Sequence, residues 1–169
     1  HDLPLKKERA ITAFPHPVPE LAKVQKELIE YTRADGVKLN ATLYLPAGYS
    51  KEQGPLPTVF WAYPREFKSA DAAGQVQGSP YTFTRLMPSS PLVFLTQGYA
   101  VVDHPAMPII GEGEKEPNDT YVSQLVASAQ AAADKVVEMG VADRKRLAIG
   151  GHSYGAFMTA NLLVHSDIF

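Results

Sequence analysis

The clearest indication of the fold is Gly151-His152-Ser153-Tyr154-Gly155, a G-x-S-x-G sequence in a chain of 169 residues. The apolar run that precedes it, residues 147–149, predicts a short buried strand, and the apolar segment that follows, residues 156–164, predicts a helix. A G-x-S-x-G sequence between a strand and a helix is typical of a sharp turn that presents its serine at the end of a sheet.

This turn would make Ser153 a nucleophile. We expect a strained backbone at Ser153, which holds its hydroxyl clear of the sheet. The strand and the helix approach so closely that side chains two positions before and after the serine would clash, and Gly151 and Gly155 have none. The backbone N–H of Tyr154 then lies at a helix N-terminus, where it can stabilise an oxyanion. The alternative is an ordinary glycine-rich turn whose serine has no catalytic role.

The rest of the chain predicts an α/β fold. Two alternating segments, 27–32 and 38–45, are joined by Asp35-Gly36 and predict a β-hairpin. Apolar residues at three- and four-residue spacing predict a long helix. The other elements predicted are strands at 58–62 and 99–102 and helices at 92–97 and 121–139. Because strand and helix alternate after the hairpin, we expect a mostly parallel sheet with a leading β-hairpin.

A catalytic serine needs a histidine base and a carboxylate that orients this base. In α/β-hydrolases both follow the nucleophile in the chain, and only residues 154–169 follow Ser153. His165 would lie about 18 Å away along the predicted helix, and the position of His152 in the turn directs it away from the serine hydroxyl. We therefore expect the N-terminal half of an α/β-hydrolase domain, incomplete at its C-terminus, without the triad Asp and His and inactive alone.

Composition and charge argue against several other classes of protein. Sixteen Lys and Arg against 18 Asp and Glu give a net charge of −2, so we expect no nucleic-acid partner. The chain has no cysteine, which removes disulfides and a cysteine nucleophile, and its histidines lack metal-ligand spacing. No segment has the pattern of a transmembrane helix or a signal peptide. We expect no metal, no cofactor and no membrane partner, and the compartment stays undetermined.

Three further positions carry residues suited to chemistry. Tyr63 directly follows strand 58–62, where this fold supplies its second oxyanion donor, so its hydroxyl could take that role or its ring could simply anchor the loop. Asp103 and His104 follow another strand, although a loop-anchoring pair is the favoured interpretation. Glu112 lies between two glycines, and its charge excludes a phosphate-binding loop.

Segments spread over nearly the whole chain carry a family resemblance. They are the nucleophile segment 150–158 together with Lys26–Leu45, Tyr63-Pro64-Arg65-Glu66-Phe67-Lys68, Asp71-Ala72-Ala73-Gly74-Gln75, Gly78-Ser79-Pro80, Ile109-Ile110-Gly111-Glu112-Gly113 and Val122–Ala127. The nucleophile segment is similar to that of the prolyl oligopeptidase family of serine peptidases. The other segments, which are more specific than G-x-S-x-G, resemble its glutamyl endopeptidase branch.

The resemblance implies a partial catalytic domain over residues 24–169 and an upstream β-propeller, of which residues 1–23 would be the end and the linker. It implies a peptide substrate, a nucleophile at Ser153, and an oxyanion hole formed by the Tyr63 hydroxyl and the Tyr154 N–H. A preference for glutamate is implied by the branch alone. The family's triad aspartate and histidine match no position in this chain, so the remaining half of the domain is an expected partner.

Two other functions stay open on the sequence. An esterase or lipase-like hydrolase would use the same turn, because the serine attacks esters equally well. A non-catalytic interaction domain could keep the fold without the activity. Arg65, close to Tyr63, could bind a substrate carboxylate, although the role of a surface charge in a loop is favoured.

Overall fold

The computed structural model describes residues 11–15, 17–76, 78–82, 84, 86–87 and 89–169. Within these ranges the strands are β1 (Gln25–Thr32), β2 (Lys38–Leu45), β3 (Leu56–Trp61), β4 (Arg65–Phe67), β5 (Ala100–Asp103), β6 (Pro108–Ile110) and β7 (Ala142–Gly150). The α-helices are α1 (Ala70–Ala73), α2 (Tyr121–Glu138) and α3 (Tyr154–His165). Short 3-10 helices lie at Pro19–Leu21, Lys51–Gln53, Pro91–Gln97 and Pro117–Thr120.

Five strands form one mixed sheet in the order β1-β2-β5-β3-β7. β1 and β2 are the predicted hairpin, and β2 pairs antiparallel with β5. β3 is parallel to both of its neighbours, β5 and β7. A separate two-stranded parallel sheet contains β4 and β6. The prediction of an α/β fold with a leading hairpin is therefore confirmed.

The hairpin turn is held by a buried arginine. Gly36 has a φ of 90°, which favours glycine, and its N–H donates to the carbonyl oxygen of Arg33 at 2.8 Å. The guanidinium of Arg33 is almost fully buried and forms an ion pair with Asp35 at 2.7 Å. It also donates to the carbonyl oxygen of Pro108 and to Ser128 Oγ. Arg33 therefore joins the hairpin to β6 and α2, and its hydrogen bonds to the Asp35 carboxylate lower the pKa of Asp35.

The two faces of the main sheet are covered differently. The larger core lies between the sheet and the pair α2 and α3, which pack on each other. The smaller core lies on the opposite face, where the 3-10 helix at Pro91–Gln97 covers it. No helix in the described part of the chain combines the length and the apolar content that crossing a bilayer requires. Fully buried side chains include Leu125, Ala129 and Val136 of α2, Met158 and Leu162 of α3, and Phe60, Val101 and Val102 of the sheet.

Sequence patterns underestimated the strands after residue 60. β7 is three times as long as the predicted strand 147–149, because it also includes a charged segment, Asp143–Arg146. This segment lies at an irregularity in the register with β3, between the pairs Leu56–Ala142 and Thr58–Leu147. An ion pair between Arg146 and Asp143 at 2.6 Å lies within that segment. The region 63–91, for which no helix or strand was predicted, contains β4 and α1.

The carboxyl ends of β3, β5 and β7 lie at one edge of the sheet, because these three strands are parallel. Tyr63, His104 and Ser153 follow those ends by one to three residues. Open α/β sheets carry their ligand sites at this edge. The topology therefore brings the predicted nucleophile and the predicted oxyanion donor to the same side of the molecule.

Candidate active site

Ser153 lies on a strained turn between β7 and α3. Its φ of 56° and ψ of −117° are unusual for a residue with a side chain, and such a conformation costs about 1–3 kcal/mol. The residue is exposed, as a nucleophile must be. The N–H of Tyr154 is the first of α3, and the first amides of a helix have no acceptor within the helix. The turn therefore presents a hydroxyl and an amide donor side by side.

The glycines beside the serine allow a close backbone approach. A Cβ atom built on Gly151 would lie 2.5 Å from the carbonyl oxygen of Ala62. A Cβ on Gly155 would collide with the same oxygen. A Cβ atom built on Gly150 would lie 2.7 Å from the ring of Trp61. The turn therefore packs directly on the residues that end β3, and a side chain at any of these glycines would push the two apart.

Tyr63 follows this contact and lies against the turn. Its ring meets the ring of Tyr154 edge to face, with 6.0 Å between centroids, and almost half of the Tyr63 surface is exposed. The Tyr154 ring in turn stacks on Tyr121 and Phe157 at 5.6 and 6.1 Å. The structure thus brings together Ser153, Tyr154 and Tyr63, the three residues predicted for the site.

Tyr121 and Glu66, which both contact Tyr154, were not singled out from sequence. The hydroxyl of Tyr154 donates to Glu66 Oε1 at 3.3 Å, which joins the start of α3 to β4. Burial raises the pKa of Tyr121 and of Tyr154, so both hydroxyls stay protonated at neutral pH. Glu66 lies three residues beyond Tyr63 in a segment rich in charged and aromatic residues. That composition is the one feature of the local sequence that could have indicated a role for Glu66.

Asp103 and His104 form an ion pair at the end of β5. His104 Nδ1 lies 2.9 Å from Asp103 Oδ1, and the His104 N–H donates to the carbonyl oxygen of Trp61 at 2.9 Å. Hydrogen bonding to Asp103 raises the pKa of His104 above its usual range. Because β5 lies two strand spacings from β7, about 10 Å, the pair flanks the end of β3 rather than the serine turn. This placement fits the favoured interpretation, a pair that anchors a loop.

The remaining candidates lie away from the serine turn. His165 is the last residue of α3, roughly 17 Å along the helix from Tyr154. Glu112 Oε1 accepts a hydrogen bond from the N–H of Ala70 at the start of α1, so the acidic loop is tied to that helix. Within the described ranges, no group of three or more His, Asp or Glu side chains is placed to hold a metal ion.

Comparison with known proteins assigns the family. Residues 35–167 match the family model described as X-Pro dipeptidyl-peptidase (S15 family). The chain belongs to this peptidase family. The family is described as one of peptidases, which are hydrolases of peptide bonds.

Curated relatives agree with the resemblance seen in the motifs. Two proteins named probable glutamyl endopeptidase, chloroplastic, from Arabidopsis thaliana and Oryza sativa subsp. japonica, are each 60% identical to this peptidase chain over 164 residues. The alignments cover 96% of the chain but only 17% and 18% of the relatives' lengths. The chain thus spans less than a fifth of each.

The fold agrees as well. A solved prolyl endopeptidase matches with a TM-score of 0.55 at 24% identity, over 84% of this chain and 19% of that chain. The predicted resemblance to prolyl oligopeptidases, closest to the glutamyl endopeptidases, is therefore confirmed, and so is the prediction that the chain is part of an α/β-hydrolase domain.

Gly155→Ala should destabilise the protein, because the new methyl group would overlap the carbonyl oxygen of Ala62. We expect a loss of about 1–3 kcal/mol, the usual range for overpacking, measured as a lower midpoint of thermal unfolding. Ala160→Ser adds an atom at an exposed position of the same helix and should leave the midpoint unchanged. Equal stability of Gly155→Ala and the parent would contradict the close approach.

His104 should titrate above pH 6.5, since its charged form is stabilised by Asp103. A raised pKa in the folded state means that the ion pair stabilises the fold below about pH 6.5 and that this contribution is lost as the pH rises through the folded pKa. NMR titration of the ring, assigned with His104→Gln, measures the midpoint. Asp103→Asn should lower it to 6.5 or below, and an unchanged midpoint would show that Asp103 is not the cause.

Proposed function

We propose that this chain carries the nucleophile and the oxyanion hole of a serine peptidase that works through an acyl-enzyme at Ser153. The observation that carries the proposal is the exposed serine at a positive φ, packed against the end of β3. Strain of this kind at a functional position persists only where the surroundings enforce it. Here β7 and the buried side of α3 hold the turn from both ends.

The reaction follows from these groups. Ser153 Oγ attacks the carbonyl carbon of the peptide bond and gives its proton to a histidine base. The carbonyl oxygen becomes an oxyanion, which accepts hydrogen bonds from the Tyr154 N–H and the Tyr63 hydroxyl. The tetrahedral intermediate collapses, the C–N bond breaks, and the histidine returns the proton to the leaving amine. Water then attacks the ester of Ser153 by the same route and releases the acid.

The base and its carboxylate belong to the rest of the catalytic domain in this proposal. His165 and His104 lie at other places in the fold, as described above, and His152 is fixed next to the nucleophile in the turn. The wider architecture is also proposed: a propeller before residue 24, linked through residues 1–23, and a complementary half of the sheet. The chain's share of its curated relatives, 17% and 18%, leaves ample length for both.

We further propose a preference for glutamate in the substrate. Its support is the name of the two curated relatives, glutamyl endopeptidase, and their 60% identity with this chain. The name describes those proteins, and the substrate of this one is to be measured.

Ser153→Ala should lower peptide hydrolysis by the full-length protein by roughly four to six orders of magnitude, because the variant cannot form the acyl-enzyme. Cleavage of a peptide library, read by mass spectrometry, measures the loss. A fluorophosphonate probe should label the parent at Ser153 and not the variant. Near-normal cleavage by Ser153→Ala would contradict the proposal.

The same assays separate the other functions. A protein that hydrolyses simple esters but no peptide would be an esterase, and one that takes up no probe at Ser153 would be a non-catalytic domain. Residues 1–169 produced alone should show no turnover, since the proposed base lies elsewhere in the domain. Turnover by that piece would place the base within the chain.

Tyr63→Phe should reduce kcat by about a hundredfold, the effect of removing one oxyanion donor, roughly 3 kcal/mol. The ring and its contact with Tyr154 remain, so the variant isolates the hydroxyl. Tyr81→Phe makes the same change at a tyrosine that is 94% exposed and should keep the parent rate. Steady-state kinetics on one peptide measure kcat for both variants. An unaltered kcat in Tyr63→Phe would show that the Tyr63 hydroxyl is not an oxyanion donor.

A further inference from the structure

A cavity of about 300 Å³ opens beside Tyr63, on the side away from Ser153. Residues of β2, β4 and β5 line it, among them Thr42, Phe67 and Asp103. Its volume is at the lower end of the range for sites that bind small ligands, so it suits a single side chain or a chain terminus. Phe67 and Met107 contribute apolar surface.

The charged groups around this cavity favour an anion. Lys26 and Arg65 line it, and Asp103 is the carboxylate among the lining residues that the structure describes. The Oδ1 atom of that carboxylate lies 2.9 Å from His104 Nδ1. Lys26 is held in place by a hydrogen bond from its ammonium to the carbonyl oxygen of Thr82 at 2.8 Å. The lining therefore carries more positive than negative charge.

Position links the cavity to the proposed chemistry. Tyr63 is a wall of the cavity and also contacts the residue next to Ser153. Arg65 is two residues further along the chain, at the start of β4, where its N–H donates to the carbonyl oxygen of Met107 at 3.2 Å. A peptide whose carbonyl oxygen reaches the Tyr63 hydroxyl would thus have a neighbouring group within reach of this cavity.

We propose that the cavity binds a carboxylate of the peptide substrate and that Arg65 is the residue that determines this specificity. The inference rests on the proposed function and adds the groups that recognise the substrate. A guanidinium can donate two parallel hydrogen bonds to a carboxylate, which a neutral amide side chain cannot accept as well. The apolar surface of Phe67 and Met107 would contact the methylene groups of a glutamate. The carboxylate comes from an acidic side chain or from the C-terminus of the peptide.

The test compares matched peptides with the full-length protein. One pair differs by glutamate against glutamine at the residue beside the cleaved bond, and a second pair differs by a free against an amidated C-terminus. We expect kcat/KM to favour one carboxylate peptide by about ten- to a hundredfold, the usual size of a charge-assisted pair. Arg65→Gln should reduce that ratio to near one, and Arg65→Lys should keep part of it.

Lys68→Gln is the matched control, because Lys68 is an exposed cation on the same segment and does not line the cavity. It should keep the ratio of the parent. If Arg65→Gln removes the preference between glutamate and glutamine, the cavity binds an acidic side chain. If it removes the preference between a free and an amidated C-terminus, the cavity binds the C-terminal carboxylate. A parent with no preference in either pair, or an Arg65→Gln variant that keeps the preference, overturns the inference. Failure of the proposed function would look different, as no peptide would be cleaved and Ser153 would not take up the probe.

Discussion

The contact between the carbonyl oxygen of Ala62 and the two glycines that flank Ser153 is the constraint on which the site depends. No Cβ atom fits at Gly151 or Gly155, so the turn after β7 and the chain after β3 can approach only as bare backbone. That approach fixes the distance between two neighbouring parallel strands at the point where both end. It therefore places Tyr63 beside the serine turn, independently of the conformation of the surrounding loops.

The strain at Ser153 is maintained by packing on both sides of it. Met158 and Leu162 of α3 are at most 1% exposed, and the end of β7, residues 147–150, pairs in register with residues 58–61 of β3. Relaxing the serine backbone would require moving the helix away from a closely packed core, in which even small changes of volume are costly. The unfavourable conformation is thus offset by burial in α3, and Ser153 keeps its exposed position.

Local patterns were enough for those parts of the fold that depend on residues close in sequence. The hairpin and its Asp35-Gly36 turn follow from alternation and a turn dipeptide, and the serine turn follows from five consecutive residues between a strand and a helix. The small sheet of β4 and β6 was missed, because each strand has three residues and carries no pattern. The charged half of β7 was missed because Asp143–Arg146 has no apolar pattern, and the pairs with β3 lie before it, at Ala142, and after it, from Leu147. The bond from Tyr154 to Glu66 joins positions 88 apart, and nothing local indicates it.

The proposed division of catalytic groups between this chain and the rest of the domain has a physical reason. A nucleophile and its oxyanion donors act on the same carbonyl group, so their relative positions must hold to a fraction of an ångström. Adjacent strands of one sheet, locked by a backbone contact, provide that rigidity. A histidine base needs only to reach the serine hydroxyl, and a loop from another part of the domain can supply it. The same reasoning extends to Arg65, which lies two residues after Tyr63 at the start of β4 and so shares the rigid frame of the proposed oxyanion donor.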